Sequence, residues 1–308
     1  MADAKPKVLV KEKIADSGVE LLREDFDVEL GLEMSDEELR ERIGEFDGIV
    51  IRSATKLGPE LIERGSQLKV IGRAGTGVDN VDVDAATKRG VVVVNAPESN
   101  SVAAAEHTLA LVLALCRNVP QAQASLLDGE WARSRFAGNE LYGKTLGVIG
   151  FGRIGQLVAK RAQGFEMEVL AFDKFVSAER FRELGVEGVD ELTELLGRAD
   201  VVTLHVPKTP ETIGLIGAEA IASMKDGVRI VNCARGELVD LDALLAGLES
   251  GKVGGAALDV FPAEPFTEHP IFAREDVVVT PHLGASTAEA QDRAGIVTAE
   301  QVTAALTG

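Results

Sequence analysis

Two short stretches, 144-KTLGVIGFGRIG-155 and 167-MEVLAFD-173, decide the fold of this chain. The first reads as a strand that runs into glycines at 150, 152 and 155 and opens a helix. In a Gly-x-Gly-x-x-Gly turn each glycine has its own reason. Gly150 permits the tight turn, Gly152 lets the backbone approach a pyrophosphate, and Gly155 allows the helix to pack close to the strand. The N-terminus of the helix adds N–H groups and a partial positive charge. The spacing alone is weak, but here a second strand follows and ends in Asp173, about 20 residues on, as a dinucleotide fold requires. Asp173 can accept hydrogen bonds from the adenosine ribose hydroxyls. A 2′-phosphate there would meet a carboxylate, so NAD is expected over NADP, with Lys174 leaving some room for dual use.

Outward from this loop, strand-like and helical patterns alternate along the whole chain, as in an α/β fold with a mostly parallel sheet. Further strands are expected at "ADVVTLHVP" from 199, "VRIVNCARG" from 228, "GGAALDVF" from 254 and "DVVVTPH" from 276, making six in this half. Ahead of the loop come "KVLV" at 7, "FDVEL" at 26, "FDGIVIR" at 46, "LKVIGRAG" at 68 and "VVVVNAP" at 91. Ser35 and Glu38 fit a capping box. From Ser101, "SVAAAEHTLALVLALCRNVPQ" reads as a long helix, apolar nearly all round, which should be buried between elements or between subunits. Residues 286–308 read as one helix with no strand partner, expected to return to the first domain. The expectation is two Rossmann-like domains: a flavodoxin-like substrate domain, discontinuous over 1–98 and 286–308, and an NAD-binding Rossmann domain over 99–285. The interdomain cleft is the default site.

With 308 residues, two domains are the natural prior. Fifty acidic against 32 basic residues give a formal charge of −18. Such a surface repels phosphate backbones, which argues against nucleic-acid binding. No apolar run approaches the ~20 residues of a membrane span. Two cysteines, Cys116 and Cys233, are too few for a disulfide framework, and the first residues lack the apolar core of a signal peptide. A cytoplasmic protein is expected, without metal.

Hydride transfer needs a proton acceptor, a clamp for the substrate's charge and a held carbon. Three strand ends of the second half supply matching parts. Arg235, in "NCARG", carries a planar fork suited to a carboxylate. His282, in "TPHLG", can exchange a proton with a hydroxyl or keto oxygen. Glu264, in "DVFPAEP", can fix the histidine tautomer and favour imidazolium. His107, His205 and His269 fit ordinary packing better, on the apolar helix, inside a strand and in a loop. In the first half, Arg52 and Ser53 end one strand and Arg73 another. The Gly75-Thr76-Gly77 turn can aim N–H groups at a carboxylate, leaving Arg52 and Arg73 for a phosphate.

The motifs "GRAGTGVDN", "NAPESNSVAAAEHT", "GFGRIG", "VNCARG", "ALDVF" and "PHLGAS" resemble the D-isomer-specific 2-hydroxyacid dehydrogenases over nearly the whole chain. The resemblance implies Arg235, Glu264 and His282 as the catalytic set. It implies NAD contacts from Thr76, Arg153, Ile154, Asp173, Val206, Cys233, Ala234, Asp259, Gly284 and Ala285, beside the loop glycines. It also implies substrate contacts that include Asn100, and Arg133 reaching in from a neighbouring subunit of a homodimer. The expected reaction is NAD-dependent oxidation of 3-phospho-D-glycerate to 3-phosphohydroxypyruvate, which begins serine synthesis. A hydroxypyruvate or glyoxylate reductase would share every catalytic part, and a non-catalytic NAD-sensing corepressor shares the fold. Longer members of the family carry C-terminal regulatory modules, so the chain is expected to be a catalytic core.

Overall fold

The computed structural model describes residues 5–308. The chain forms two compact units: residues up to Ser101 together with Ala285–Gly308, and Val102–Gly284.

In the first unit, β1 (Lys7–Val10), β2 (Asp27–Leu30), β3 (Gly48–Ile51), β4 (Val70–Arg73) and β5 (Val92–Asn95) form a sheet in the order β2-β1-β3-β4-β5. Every pairing is parallel, and this order is the flavodoxin-like one. Side chains alternate across a strand, so a sheet covered on both faces needs continuous apolar runs. Strand β3 shows this: Ile49 and Ile51 enter one core with Leu9, whereas Val50 enters the opposite core with Val8 and Val10. The helix Ala288–Thr307, capped by Thr287, whose hydroxyl accepts from the Ala290 N–H, lies on the second of these faces through Ala299 and Val302.

In the second unit, β6 (Thr145–Ile149), β7 (Glu168–Phe172), β8 (Glu187–Gly188), β9 (Val201–Leu204), β10 (Val228–Asn232), β11 (Val253–Leu258) and β12 (Val277–Val279) form a sheet in the order β12-β11-β10-β9-β6-β7-β8. These pairings are parallel too. All C-terminal strand ends therefore open on one edge, and the order reverses between β6 and β9. That reversal is where an open α/β sheet leaves a crevice for a ligand. The α/β class with two Rossmann-like sheets is as the sequence predicts.

Four local expectations need correction. Among the described residues the second sheet has seven strands rather than six: β8 pairs Glu187 and Gly188 with Leu170 and Ala171. Two exposed residues carry no apolar pattern to signal a strand. His205 lies just beyond β9 rather than within it, although its N–H still reaches the Ile149 carbonyl. The long helix breaks into Ser101–Arg117 and Val119–Leu127 at Asn118, whose φ of 52° is left-handed. A proline at 120 follows, and the first turn of a helix is where proline fits. Ser35 caps its helix by accepting from the Glu38 N–H, but Glu38 turns its own carboxylate towards Arg42 instead of closing the box. Among the described residues no single helix is long and apolar enough to cross a membrane; the two halves of the broken helix pass that test only together, bent by 62°.

Candidate active site

The glycine loop joins β6 to the helix Arg153–Gln163. Gly150 sits at φ 91°, a conformation open to glycine, and a Cβ there would strike the His205 carbonyl at 2.7 Å. A Cβ on Gly155 would lie 2.2 Å from the Gly150 oxygen, so helix and turn touch there. A Cβ on Gly152 would meet nothing within 4 Å, which leaves room above the loop for a diphosphate. Gly152 is also the N-cap and offers no side-chain cap to the helix end. Asp173 stands at the end of β7, where its two oxygens accept the N–H groups of Phe151 and Phe175, both at 2.8 Å. It therefore braces the loop as well as leaving a lone pair on each oxygen for ribose hydroxyls. These residues fit NAD. Val206 follows His205, and its side chain closes over Gly150.

Beyond β10, Asn232 is fully buried and clamps the next residues from both sides. Its amide donates to the Arg235 carbonyl at 2.8 Å, and its side-chain oxygen accepts from the Ala234 N–H at 3.0 Å. The Arg235 guanidinium donates to the Ala234 carbonyl. Gly236 lies so close to Phe261 that a Cβ would fall 1.9 Å from its carbonyl carbon. The loop carrying Arg235 thus abuts the loop that leads to Glu264. Cys233, in the same turn, has its thiol pushed up to about 12 by burial, with the Asp259 charge adding to this and the Thr108 hydroxyl opposing it.

Glu264 and His282 meet. Glu264 Oε2 lies 2.6 Å from His282 Nδ1, while Oε1 accepts the Phe261 N–H at 3.1 Å. Burial works to raise the Glu264 carboxyl, but the bonds from His282 and Phe261 outweigh it and hold it below its ordinary value. An ionised carboxylate only accepts, so Nδ1 carries the hydrogen and Nε2 is the nitrogen left for proton exchange. Both side chains stay open to solvent at 44% and 36%. Beside them is a cavity of about 480 Å³ lined by Phe261, Phe266, Phe272, Val279, Glu264 and His282 among others. The His282 backbone is left-handed, φ 55°, and is held by Asp259. That buried carboxylate accepts the N–H groups of Leu283 and Gly284 at 2.7 and 2.8 Å. Burial works to raise it, and bonds from His107, Thr280 and these two N–H groups bring it below the ordinary value.

In the first unit, the Glu12 carboxylate accepts the N–H groups of Arg52, Ala54 and Thr55. Burial opposes its ionisation, yet these bonds lower its pKa overall. The turn that carries Arg52 and the exposed Ser53 is thereby fixed. The Arg73 guanidinium folds over Gly75, occupying the space a side chain there would need. Thr76 donates to Asn100 Oδ1 at 2.6 Å, which joins an expected cofactor contact to an expected substrate contact. Arg133 is exposed in a short helical turn, and its neighbour Arg135 pairs with Glu275. Ala285 is the first residue of the chain's return to the first unit. Glu12, His107, Asn232 and Thr280 were not singled out by sequence as functional. Of these the sequence weighs only His107, and it favours ordinary packing on the apolar helix.

The family model for "D-isomer specific 2-hydroxyacid dehydrogenase, NAD binding domain" matches residues 109–284. The chain is 51% identical over 302 residues to the D-3-phosphoglycerate dehydrogenase of Methanocaldococcus jannaschii, covering 98% of this chain and 58% of that one. It is 52% identical over 303 residues to the enzyme of that name from Mycobacterium tuberculosis, covering 98% and 57%. It therefore spans a little over half the length of these relatives. Among solved structures, the TT0316 protein of Thermus thermophilus matches with a TM-score of 0.90 at 38% identity, covering 98% of this chain and 97% of that one. The chain belongs to the D-isomer specific 2-hydroxyacid dehydrogenases, and its second unit holds their NAD-binding domain.

Proposed function

We propose that the chain oxidises 3-phospho-D-glycerate to 3-phosphohydroxypyruvate with NAD, the entry to serine synthesis. The observation that carries this reading is the 2.6 Å contact between Glu264 and His282 at adjoining strand ends, in a chain about half identical to enzymes named for that reaction. When bound, NAD supplies a two-electron hydride acceptor. His282 takes the proton of the substrate's 2-hydroxyl at Nε2, while Glu264 keeps the hydrogen on Nδ1 and offsets the imidazolium charge. Arg235 pairs with the substrate carboxylate. The first unit is the substrate-binding domain, where Arg52, Ser53, Arg73, Gly75 and Asn100 hold the anionic end. The ring of cofactor contacts comprises Thr76, Gly150, Gly152, Arg153, Ile154, Gly155, Asp173, Val206, Cys233, Ala234, Asp259, Gly284 and Ala285. The protein acts in the cytoplasm as a homodimer, joined through exposed apolar residues near Leu127 and Trp131, with Arg133 of one copy serving the other.

The test is NADH formation from a panel of phosphorylated and unphosphorylated 2-hydroxy acids. Turnover of 3-phosphoglycerate is expected, and His282→Ala should lower kcat by about 10²–10⁴-fold while NAD binding, read by titration, stays near normal. Activity confined to unphosphorylated acids selects a hydroxypyruvate or glyoxylate reductase. NAD binding without turnover of any acid selects a sensor.

A further inference from the structure

His107 occupies a different place from the one its apolar helix suggests. Its Nε2 lies 3.1 Å from Asp259 Oδ1 and 3.1 Å from Thr280 Oγ1. The ring is 20% exposed, and the Asp259 carboxylate is fully buried. The Thr280 hydroxyl donates to the same Oδ1 at 2.6 Å, which commits its single proton. The ionised carboxylate has only lone pairs to offer. Nε2 therefore faces two acceptors, so it carries the ring hydrogen and donates to both.

What hangs on Asp259 is the turn after β12. Its Oδ1 accepts the Leu283 N–H, its Oδ2 accepts the Gly284 N–H, and its backbone carbonyl accepts the His282 N–H at 2.8 Å. Three consecutive N–H groups thus end on one residue. Between them His282 is kept at a positive φ, which a non-glycine residue holds only where its surroundings impose it.

We propose that His107 is a positioning residue: by fixing Asp259 and Thr280 it holds the 282–284 turn and so aims the His282 ring. This rests on His282 being the acid–base group of the preceding section. Without the donor, a buried carboxylate loses one of its hydrogen bonds and must shift or admit water to recover it. A shift near an ångström at a reacting group is enough to cost about 10²-fold in rate. Glutamine at 107 can present an N–H to the same two acceptors, whereas leucine presents none.

The experiment compares His107→Leu and His107→Gln with the unaltered chain, by steady-state kinetics and by amide hydrogen exchange. In His107→Leu, kcat should fall about 10- to 100-fold with KM changed less than about threefold. Exchange at Leu283 and Gly284 should quicken about tenfold or more while the core amides of Val202 and Ile230 keep their rates. His107→Gln should restore both readouts to within about threefold of the unaltered chain. The proposal is overturned if the turn amides of the leucine variant are unchanged, if they quicken in step with the core, or if glutamine is as damaging as leucine. Should the unaltered chain turn over no 2-hydroxy acid, the functional reading fails, and the exchange pattern still decides whether His107 holds the turn.

Discussion

At the scale of single residues, two of the second unit's four histidines have opposite fates. His282 is half open to solvent and bonded to a carboxylate. The His205 ring, just past β9, lies 3.0 Å from the Thr203 hydroxyl, and desolvation pushes it down to about 4. In the folded chain it stays neutral where an unfolded chain, titrating near 6.5, has taken a proton. The unfolded state then binds more protons, so stability falls as pH drops from about 6.5 to about 4 and recovers as pH rises. Unfolding midpoints measured across that window should show the slope, and His205→Asn should flatten it; equal slopes would refute the assignment. The carboxylates of Glu264 and Asp259 act in another window. Both are lowered, so their contribution is fully present above the ordinary carboxylate value and is lost only as pH falls through their lower folded values.

At the scale of elements, the strands were legible because a parallel sheet covered on both faces demands unbroken apolar runs. Glycine loops, helix starts and the returning C-terminal helix were legible for similarly local reasons. The break at Asn118 was read through, although Asn118 and Pro120 carry a local signal for it. Strand β8 was not legible because its two exposed residues make no pattern. The crossing of helices Asp16–Asp25 and Ala288–Thr307 is equally hidden, and it rests on Gly18 against Gly295. A Cβ on Gly18 would meet the Gly295 carbonyl carbon and oxygen at 2.7 Å. Alanine favours a helix over glycine by about 1 kcal/mol, but backbone cannot yield as a side-chain tip can, and overpacking costs about 1–3 kcal/mol. Gly18→Ala should therefore lower the thermal midpoint. A raised midpoint would mean that the helices part without cost.

At the scale of the whole molecule, exposed apolar side chains are spread over the surface, Phe175 among them, and one group of them lies at the second helix of the broken pair. Leu126 and Leu127 are 57% and 78% exposed, and Trp131 is 83% exposed. The proposed dimer would bury this group, as association surfaces bury neighbouring apolar side chains. In sedimentation at micromolar concentration the chain should run as a dimer, and Leu127→Asp should weaken association by about tenfold or more. An unaltered chain that is monomeric and active would defeat this reading.

By itself, the sequence determined the class of the fold and the nucleotide loop, while the three candidate catalytic side chains came from strand-end chemistry and family resemblance. Fold class and loop depend on residues close together in the chain, where period, turn chemistry and spacing act directly. Tertiary structure alone decided that Asn232 clamps the Arg235 turn, that Glu12 holds the Arg52 turn and that His107 reaches Asp259 and Thr280. His107 and Asp259 are 152 residues apart in sequence. A hydrogen bond between such positions exists only because parallel strands bring their ends to one edge and the helix passes beside it. No local pattern encodes that meeting.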